Sequence, residues 1–199
     1  MSKKTGTLAS EQANRMNKKS LVETTNLKQE QSKTVERGGT AFLVTAASLV
    51  AASMWLPLVV RFPAEPMDAL SFACRVNVVV GIVLMIAVRV VATIRFKSAE
   101  DNRGSAYAPP SSCLAVPAAF LQNTLEQSVL AIVANLALAT IGREDASAYM
   151  TASAVLFLIG RVTFMLGYPH GAGARAFGMV MTMTPALGAF GWVMVAWLL

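Results

Sequence analysis

Five long apolar stretches constrain this chain more than any other feature of its sequence. Each is long enough to cross the hydrocarbon core of a bilayer, which takes about 20 residues. A segment inside lipid must satisfy its own backbone hydrogen-bonding groups, so each stretch is predicted to be an α-helix. The predicted spans are residues 38–60, 70–94, 114–141, 148–168 and 176–199.

The scarcity of charged residues leads to the same conclusion. Residues 40–199 carry only nine lysines and arginines and seven acidic residues. A soluble domain of that size with so few charges would aggregate, which excludes a water-soluble enzyme and a nucleic-acid-binding protein. The sequence therefore predicts an all-α integral membrane protein with five spans.

The region before the first span is polar and basic. Residues 1–37 hold eight lysines and arginines and four glutamates, and we expect this tail to be disordered. The tail and the loops at residues 95–113 and 168–175 are net positive, whereas the other two loops are net negative. Because basic residues gather on the cytosolic side, this alternation predicts a cytosolic N-terminus and a C-terminus on the other side. An endomembrane such as the endoplasmic reticulum is the expected location, since a mitochondrial presequence would be poor in acids.

Polar residues inside a span are candidates for function because their burial costs about 2.5–3.5 kcal/mol. Glu126 lies about a dozen residues into the third span, too deep for a carboxylate to reach the interface. Asn123 lies three residues earlier, and Gln122 and Gln127 widen a sector that must face the protein interior or a subunit interface. This sector either binds a ligand or forms a hydrogen-bonded clamp between helices. Arg75, closer to a helix end, can extend its guanidinium to the interface.

A second group of candidate residues lies at the end of the fourth span. Arg161, Phe164 and Tyr168 are spaced at i, i+3 and i+7, which places them on one helical face. A glycine-rich turn then brings Arg175 to the start of the last span, where free N–H groups favour an anion. A thiolate or a carboxylate would suit that place; alternatively, Arg175 anchors the helix to lipid phosphates. With two cysteines and one histidine, the sequence offers no metal-ligand spacing.

Two segments resemble a known family. The sequence FLQNTLEQSVLAIVANLALA, followed by LFLIGRVTFMLGYPHGAGARAFG, resembles the MAPEG family, the membrane-associated proteins in eicosanoid and glutathione metabolism. The closing stretch RAFGMVMTMTPALGAFGW and the five-span layout look closest to its mattrin-like branch. The resemblance covers residues 70–199 and implies a MAPEG-like four-helix transmembrane domain assembled as a homotrimer. Residues 38–60 would be an extra N-terminal transmembrane helix, preceded by the tail at residues 1–37.

The resemblance also implies a binding site for glutathione. In the glutathione-using members, an Arg-x-x-x-Asn-x-x-Glu-Tyr pattern binds the tripeptide between subunits, and Asn123 and Glu126 match its Asn and Glu. On the next helix Arg161 and Tyr168 match. Arg175 has the spacing at which the leukotriene-forming synthase keeps its thiol-activating arginine.

The chain also departs from the family pattern. Ala119 replaces the first arginine, Gln127 replaces the tyrosine after the glutamate, and Phe164 replaces a tyrosine of the next helix. The basic residue at the end of the first family helix is represented by Arg89 or Arg95. Each lost charge-assisted hydrogen bond is worth about 1.5–3 kcal/mol when buried, so these changes weaken the expected affinity for glutathione.

The resemblance leads to two hypotheses about function. The first is a glutathione-dependent transferase or peroxidase that acts on small lipophilic electrophiles at the cytosolic membrane face. Arg175 would then be catalytic because a guanidinium favours the thiolate, while Glu126 would hold the ammonium of the γ-glutamyl group. The alternative is a non-catalytic mattrin-like protein that acts through its assembly or its tail, with Glu126 and Asn123 as a clamp between subunits. A channel or transporter is less favoured because inverted repeats are not evident.

Overall fold

The part of the chain that the structure describes folds into helices connected by short turns and by one longer loop at residues 98–111. The computed structural model describes the backbone of residues 3–198 and the side chains of residues 26–198. Within these limits every regular element is helical, which confirms the predicted all-α class. The elements are α1 (Lys3–Val59), α2 (Pro66–Lys97), α3 (Ser112–Ala139), α4 (Glu144–Gly167), a 3-10 turn (Tyr168–His170) and α5 (Ala172–Leu198).

The helices differ in how well they suit a membrane. Among the described residues, four helices are long and apolar enough to cross a bilayer: Asn26–Val59, Pro66–Lys97, Glu144–His170 and Ala172–Leu198. Helix α3 has 28 residues, but polar side chains at positions 122, 123, 126 and 127 lower its hydropathy. The structure therefore supports a multi-pass membrane protein, whereas the predicted span at residues 114–141, and with it the total of five spans, stays a prediction.

The N-terminal region differs from the expected disordered tail. Helix α1 runs without a break from Lys3 to Val59, so residues 3–37 continue the helix of the first predicted span. Six lysines, four glutamates and three glutamines lie there, and all three residue types have favourable helix propensities. A helix that is already nucleated by the following span extends at little cost, since nucleation is the unfavourable step. Residues 1 and 2, and the side chains before Asn26, lie outside the described residues.

Helix α5 is the centre of the packing and contacts α1, α3 and α4, while α2 packs mainly on α3. The approach of α4 to α5 is close because glycines face each other. A β-carbon placed on Gly160 would lie 2.5 Å from Cγ2 of Thr182 and 3.0 Å from the carbonyl oxygen of Gly178. Small residues of this kind let membrane helices approach backbone to backbone.

Hydrogen bonds between helices fix their relative positions. The side-chain amide of Asn135 on α3 donates to the side-chain oxygen of Asn77 on α2 at 2.8 Å. The hydroxyl of Tyr149 on α4 donates to the backbone carbonyl of Pro185 on α5, also at 2.8 Å. Such bonds contribute about 0.6 kcal/mol each in a membrane protein. The bond from Tyr149 holds α4 and α5 in the register that sets the turn between them.

Candidate functional site

The turn between α4 and α5 positions Arg175. Helix α4 ends at Gly167, and Gly171 after the 3-10 turn has φ 93°, a conformation that favours glycine. Arg175 follows in the first turn of α5, and its backbone N–H donates to the carbonyl of Gly171 at 3.4 Å. Its guanidinium carbon lies 4.4 Å from the centre of the Tyr168 ring, a cation–π contact. The turn and the ring together hold this cation at one end of the helix bundle.

A cavity of about 470 Å³ opens beside Arg175, between α1, α3, α4 and α5. Its polar lining consists of Thr34, Asn123, Tyr168 and Arg175. The other lining residues are small or apolar: Ala119, Phe164, Ala172, Ala176, Met179, Val180 and Met183. A site that combines a cation, neutral polar groups and apolar walls suits a small molecule with an anionic group and an apolar part.

Arg161 is the largest fully buried side chain among the described residues, and it contacts Asn123 and Phe164, which line this cavity. Its Nη1 donates to Oδ1 of Asn123 at 2.7 Å, and its Nη2 donates to the hydroxyl of Thr182 at 2.6 Å. The ring of Phe164 lies 4.8 Å from the guanidinium carbon. Within the described part of the chain Arg161 forms no ion pair. Arg161 therefore ties α3, α4 and α5 together, and Asn123 belongs both to this network and to the cavity.

Two predicted site residues lie apart from the cavity. Glu126 is exposed on the outer surface of α3, and its Oε1 accepts a hydrogen bond from Nε2 of Gln122 at 2.9 Å. Arg89 is exposed on α2, where its Nη1 donates to the hydroxyl of Thr93 at 2.9 Å. Arg95, the other candidate for the basic role, donates to a serine of the α2–α3 loop. None of the three is among the described residues that line the cavity.

Two polar residues were not predicted from the sequence: Thr182 of the Arg161 network and Thr34 of the cavity lining. Thr182 lies seven residues after Arg175 and so on the same face of α5, a spacing that would have identified it. Thr34 gave no such signal because it lies in the region that we expected to be disordered. The structure brings it to the cavity through the extension of α1.

Outside the spans, Asp101 organises the loop between α2 and α3. The backbone N–H and the hydroxyl of Ser111 donate to its carboxylate at 2.9 and 2.7 Å. These hydrogen bonds hold the pKa of Asp101 below its ordinary value of 3.8. Because Ser111 is the N-cap of α3, the carboxylate fixes where that helix begins.

Comparison with known proteins gives a match to one family model. The family model described as the MAPEG family matches residues 70–195, which include all of α3 and α4 and nearly all of α2 and α5. No curated protein and no solved structure matches the chain. The matched region contains both the Arg161 network and most of the cavity, whereas α1 precedes it. Since the match covers more than half of its length, the chain belongs to the MAPEG family.

Proposed function

We propose that the protein is a glutathione-dependent transferase or peroxidase that acts on small lipophilic electrophiles. One observation carries this proposal: Asn123, Tyr168 and Arg175 line a single cavity, and the guanidinium of Arg175 is held over the ring of Tyr168. These three residues match positions that the glutathione-using members of the family employ. The cavity lies in a multi-pass membrane protein, where lipophilic compounds are concentrated.

Arg175 has the central chemical role in this proposal. Glutathione supplies a thiol, whose thiolate form is the nucleophile. The guanidinium of Arg175 stabilises negative charge on that sulfur, and Tyr168 keeps the guanidinium in place through the cation–π contact. Since Arg175 also lies at the start of α5, the helix dipole adds to the attraction for an anion.

The donor set of the cavity fits part of glutathione. Arg175 and the polar groups of Asn123 and Tyr168 suit one anionic end of the molecule and its thiol. Ala119 and Phe164 line the same cavity without a charge or a hydroxyl, at positions where the family pattern has an arginine and a tyrosine. Weak binding, with a dissociation constant in the range of cellular glutathione, is therefore the expected result.

The exposure of Glu126 is the basis for the assembly that we propose. A carboxylate exposed on the outer surface of a membrane helix is costly in lipid, and a neighbouring subunit would cover it. We propose a homotrimer of five-span chains in which α3 crosses the membrane inside the assembly. The N-terminus would be cytosolic, in the endoplasmic reticulum or another endomembrane, so that the cavity meets cytosolic glutathione.

A second candidate function rests on the Arg161 network. Both terminal nitrogens of Arg161 already bind side chains of this chain, so they hold helices together. That arrangement favours a non-catalytic, mattrin-like protein that works through its assembly or its N-terminal region. In such a protein the hydrogen bonds of Arg161 would stabilise the fold, and no reaction would take place in the cavity.

Thermal unfolding of the purified protein with glutathione separates the two functions. A ligand that binds the native state at ten times its dissociation constant stabilises it by about 1.4 kcal/mol, so Tm should rise with glutathione concentration. Replacing Arg175 by alanine should lower the rate of conjugation by about 10²–10³-fold. The matched control is Arg103→Ala, which removes an exposed arginine of the α2–α3 loop and should leave the rate unchanged. An unchanged Tm at a glutathione concentration about tenfold above the cellular range would exclude the transferase.

A further inference from the structure

The extension of α1 lies directly against the start of α5. A β-carbon placed on Gly173 would lie only 2.9 Å from Cβ of Lys33. A β-carbon on Gly171 would lie 3.3 Å from the carboxylate oxygen Oε2 of Glu30. Glycines in this turn therefore make room for α1, and the contact is close on both sides of Ala172, which lines the cavity.

The contact continues along both helices. A β-carbon on Gly38 would lie 3.5 Å from Cγ2 of Val180, so α1 and α5 run side by side in the same direction. Further along α1, Ala41, Thr45 and Leu49 are buried. This row of buried residues fixes the position of α1, and the segment from Glu30 to Gly38 is held where it meets the cavity.

Thr34 is the residue of α1 that lines the cavity. Its hydroxyl donates to the carbonyl of Glu30 in its own helix at 2.8 Å, so its polar group already has a partner. Thr34 therefore contributes bulk to the wall. We infer that α1 closes one side of the cavity and that the size of the side chain at position 34 determines which ligands enter.

This role lies outside the part of the chain that the family model matches. The match begins at residue 70, whereas Thr34 lies in α1, which precedes it. Selection of ligands at the cavity would therefore depend on a segment that the family model does not include. The identity of the ligand as glutathione rests on the proposed function, but the wall itself does not.

Thiol labelling tests whether the side chain at position 34 limits access to the cavity, without any assumption about the ligand. Cys74 and Cys113 are exposed and are first replaced by alanine. A new cysteine, Ala176→Cys, lines the cavity at a position that is 7% exposed, so a reagent reaches it through the cavity. The rate of modification by a small anionic methanethiosulfonate is expected to fall at least tenfold with Thr34→Trp. The matched control is Val35→Trp, on the exposed side of α1, which should change the rate less than twofold.

A graded series covers the case in which tryptophan at position 34 prevents folding. Thr34→Ala should raise the labelling rate and Thr34→Leu should lower it, because the two changes widen and narrow the same opening. Equal rates across this series, or equal rates for Thr34→Trp and Val35→Trp, would overturn the inference.

Glutathione binding to the full chain, measured by calorimetry, links the wall to the proposed function. Thr34→Trp should weaken binding at least tenfold, and Val35→Trp should leave it unchanged. Absence of binding by the unmodified protein refutes the proposed function, while the labelling series still decides the inference. Binding that is equal in both variants refutes the inference and leaves the proposed function standing.

Discussion

Asn123 and Glu126 lie three residues apart on α3, yet their surroundings differ. Asn123 is partly buried and accepts a hydrogen bond from Arg161 on α4, whereas Glu126 is exposed and accepts one from Gln122 of its own helix. Three residues rotate an α-helix by about 300°, so the two side chains diverge by about 60°. That angle is enough to direct one towards α4 and the other towards the outer surface.

This difference indicates that some polar residues of the bundle stabilise the single chain, whereas others act between chains. The network around Arg161 is complete inside one chain except for its Nε, which has no partner among the described residues. It should therefore contribute to the stability of the folded chain. Glu126 has no contact with another helix among the described hydrogen bonds and should contribute to the contact between chains.

The strongest test of this division is the removal of Arg161. Arg161→Ala leaves a cavity and deprives Asn123 and Thr182 of charged hydrogen-bond donors, which should lower the free energy of unfolding by about 3–5 kcal/mol. Denaturation in mixed micelles measures this loss. The matched control is Arg89→Ala, an exposed arginine bound within its own helix, for which about 0.5 kcal/mol or less is expected. Equal losses for the two variants would contradict a structural role of the network.

Replacement of Glu126 should affect assembly instead. Glu126→Leu is expected to change the oligomeric state in detergent, because interhelical hydrogen bonds worth about 1–2 kcal/mol per contact are lost. Sedimentation measures the change, and the unfolding of the single chain should stay the same. Arg75→Leu, which removes an exposed charge from α2, serves as the control and should leave the oligomer intact. An unchanged oligomer would remove the distinction between the two residues of α3.

Features that depend on local spacing were well predicted from the sequence. The second predicted span, residues 70–94, lies within α2 at Pro66–Lys97. The predicted stripe on α4 is found as a row of contacts, with Phe164 lying 4.8 Å from the Arg161 guanidinium carbon and 5.8 Å from the centre of the Tyr168 ring. The span follows from the length of its apolar run and the stripe from helical periodicity, and both are properties of the segment itself.

Features that depend on packing between segments were not predicted. The partners of Arg161 come from α3 and α5, and sequence spacing says nothing about which helices meet. Thr34 reaches the cavity only because α1 extends as a helix beside α5. The polar residues of α3 that suggested a site also lower its hydropathy, so the same residues weaken the prediction that residues 114–141 span the membrane.

The smallest effect is expected from Asp101, whose hydrogen bonds lie within the loop between α2 and α3. Its pKa in the folded protein is below the ordinary value of 3.8 because Ser111 donates to the carboxylate. The contribution of Asp101 to the stability of the folded protein is therefore complete above that value. As the pH falls towards the lower folded value, the carboxylate is protonated and the contribution is lost. The difference in Tm between the unmodified protein and Asp101→Asn should therefore narrow between about pH 5 and pH 3. The neighbouring variant Glu100→Gln, at an exposed position, should follow the unmodified protein at each pH, and a constant difference for Asp101→Asn would show that Ser111 does not hold the charged form.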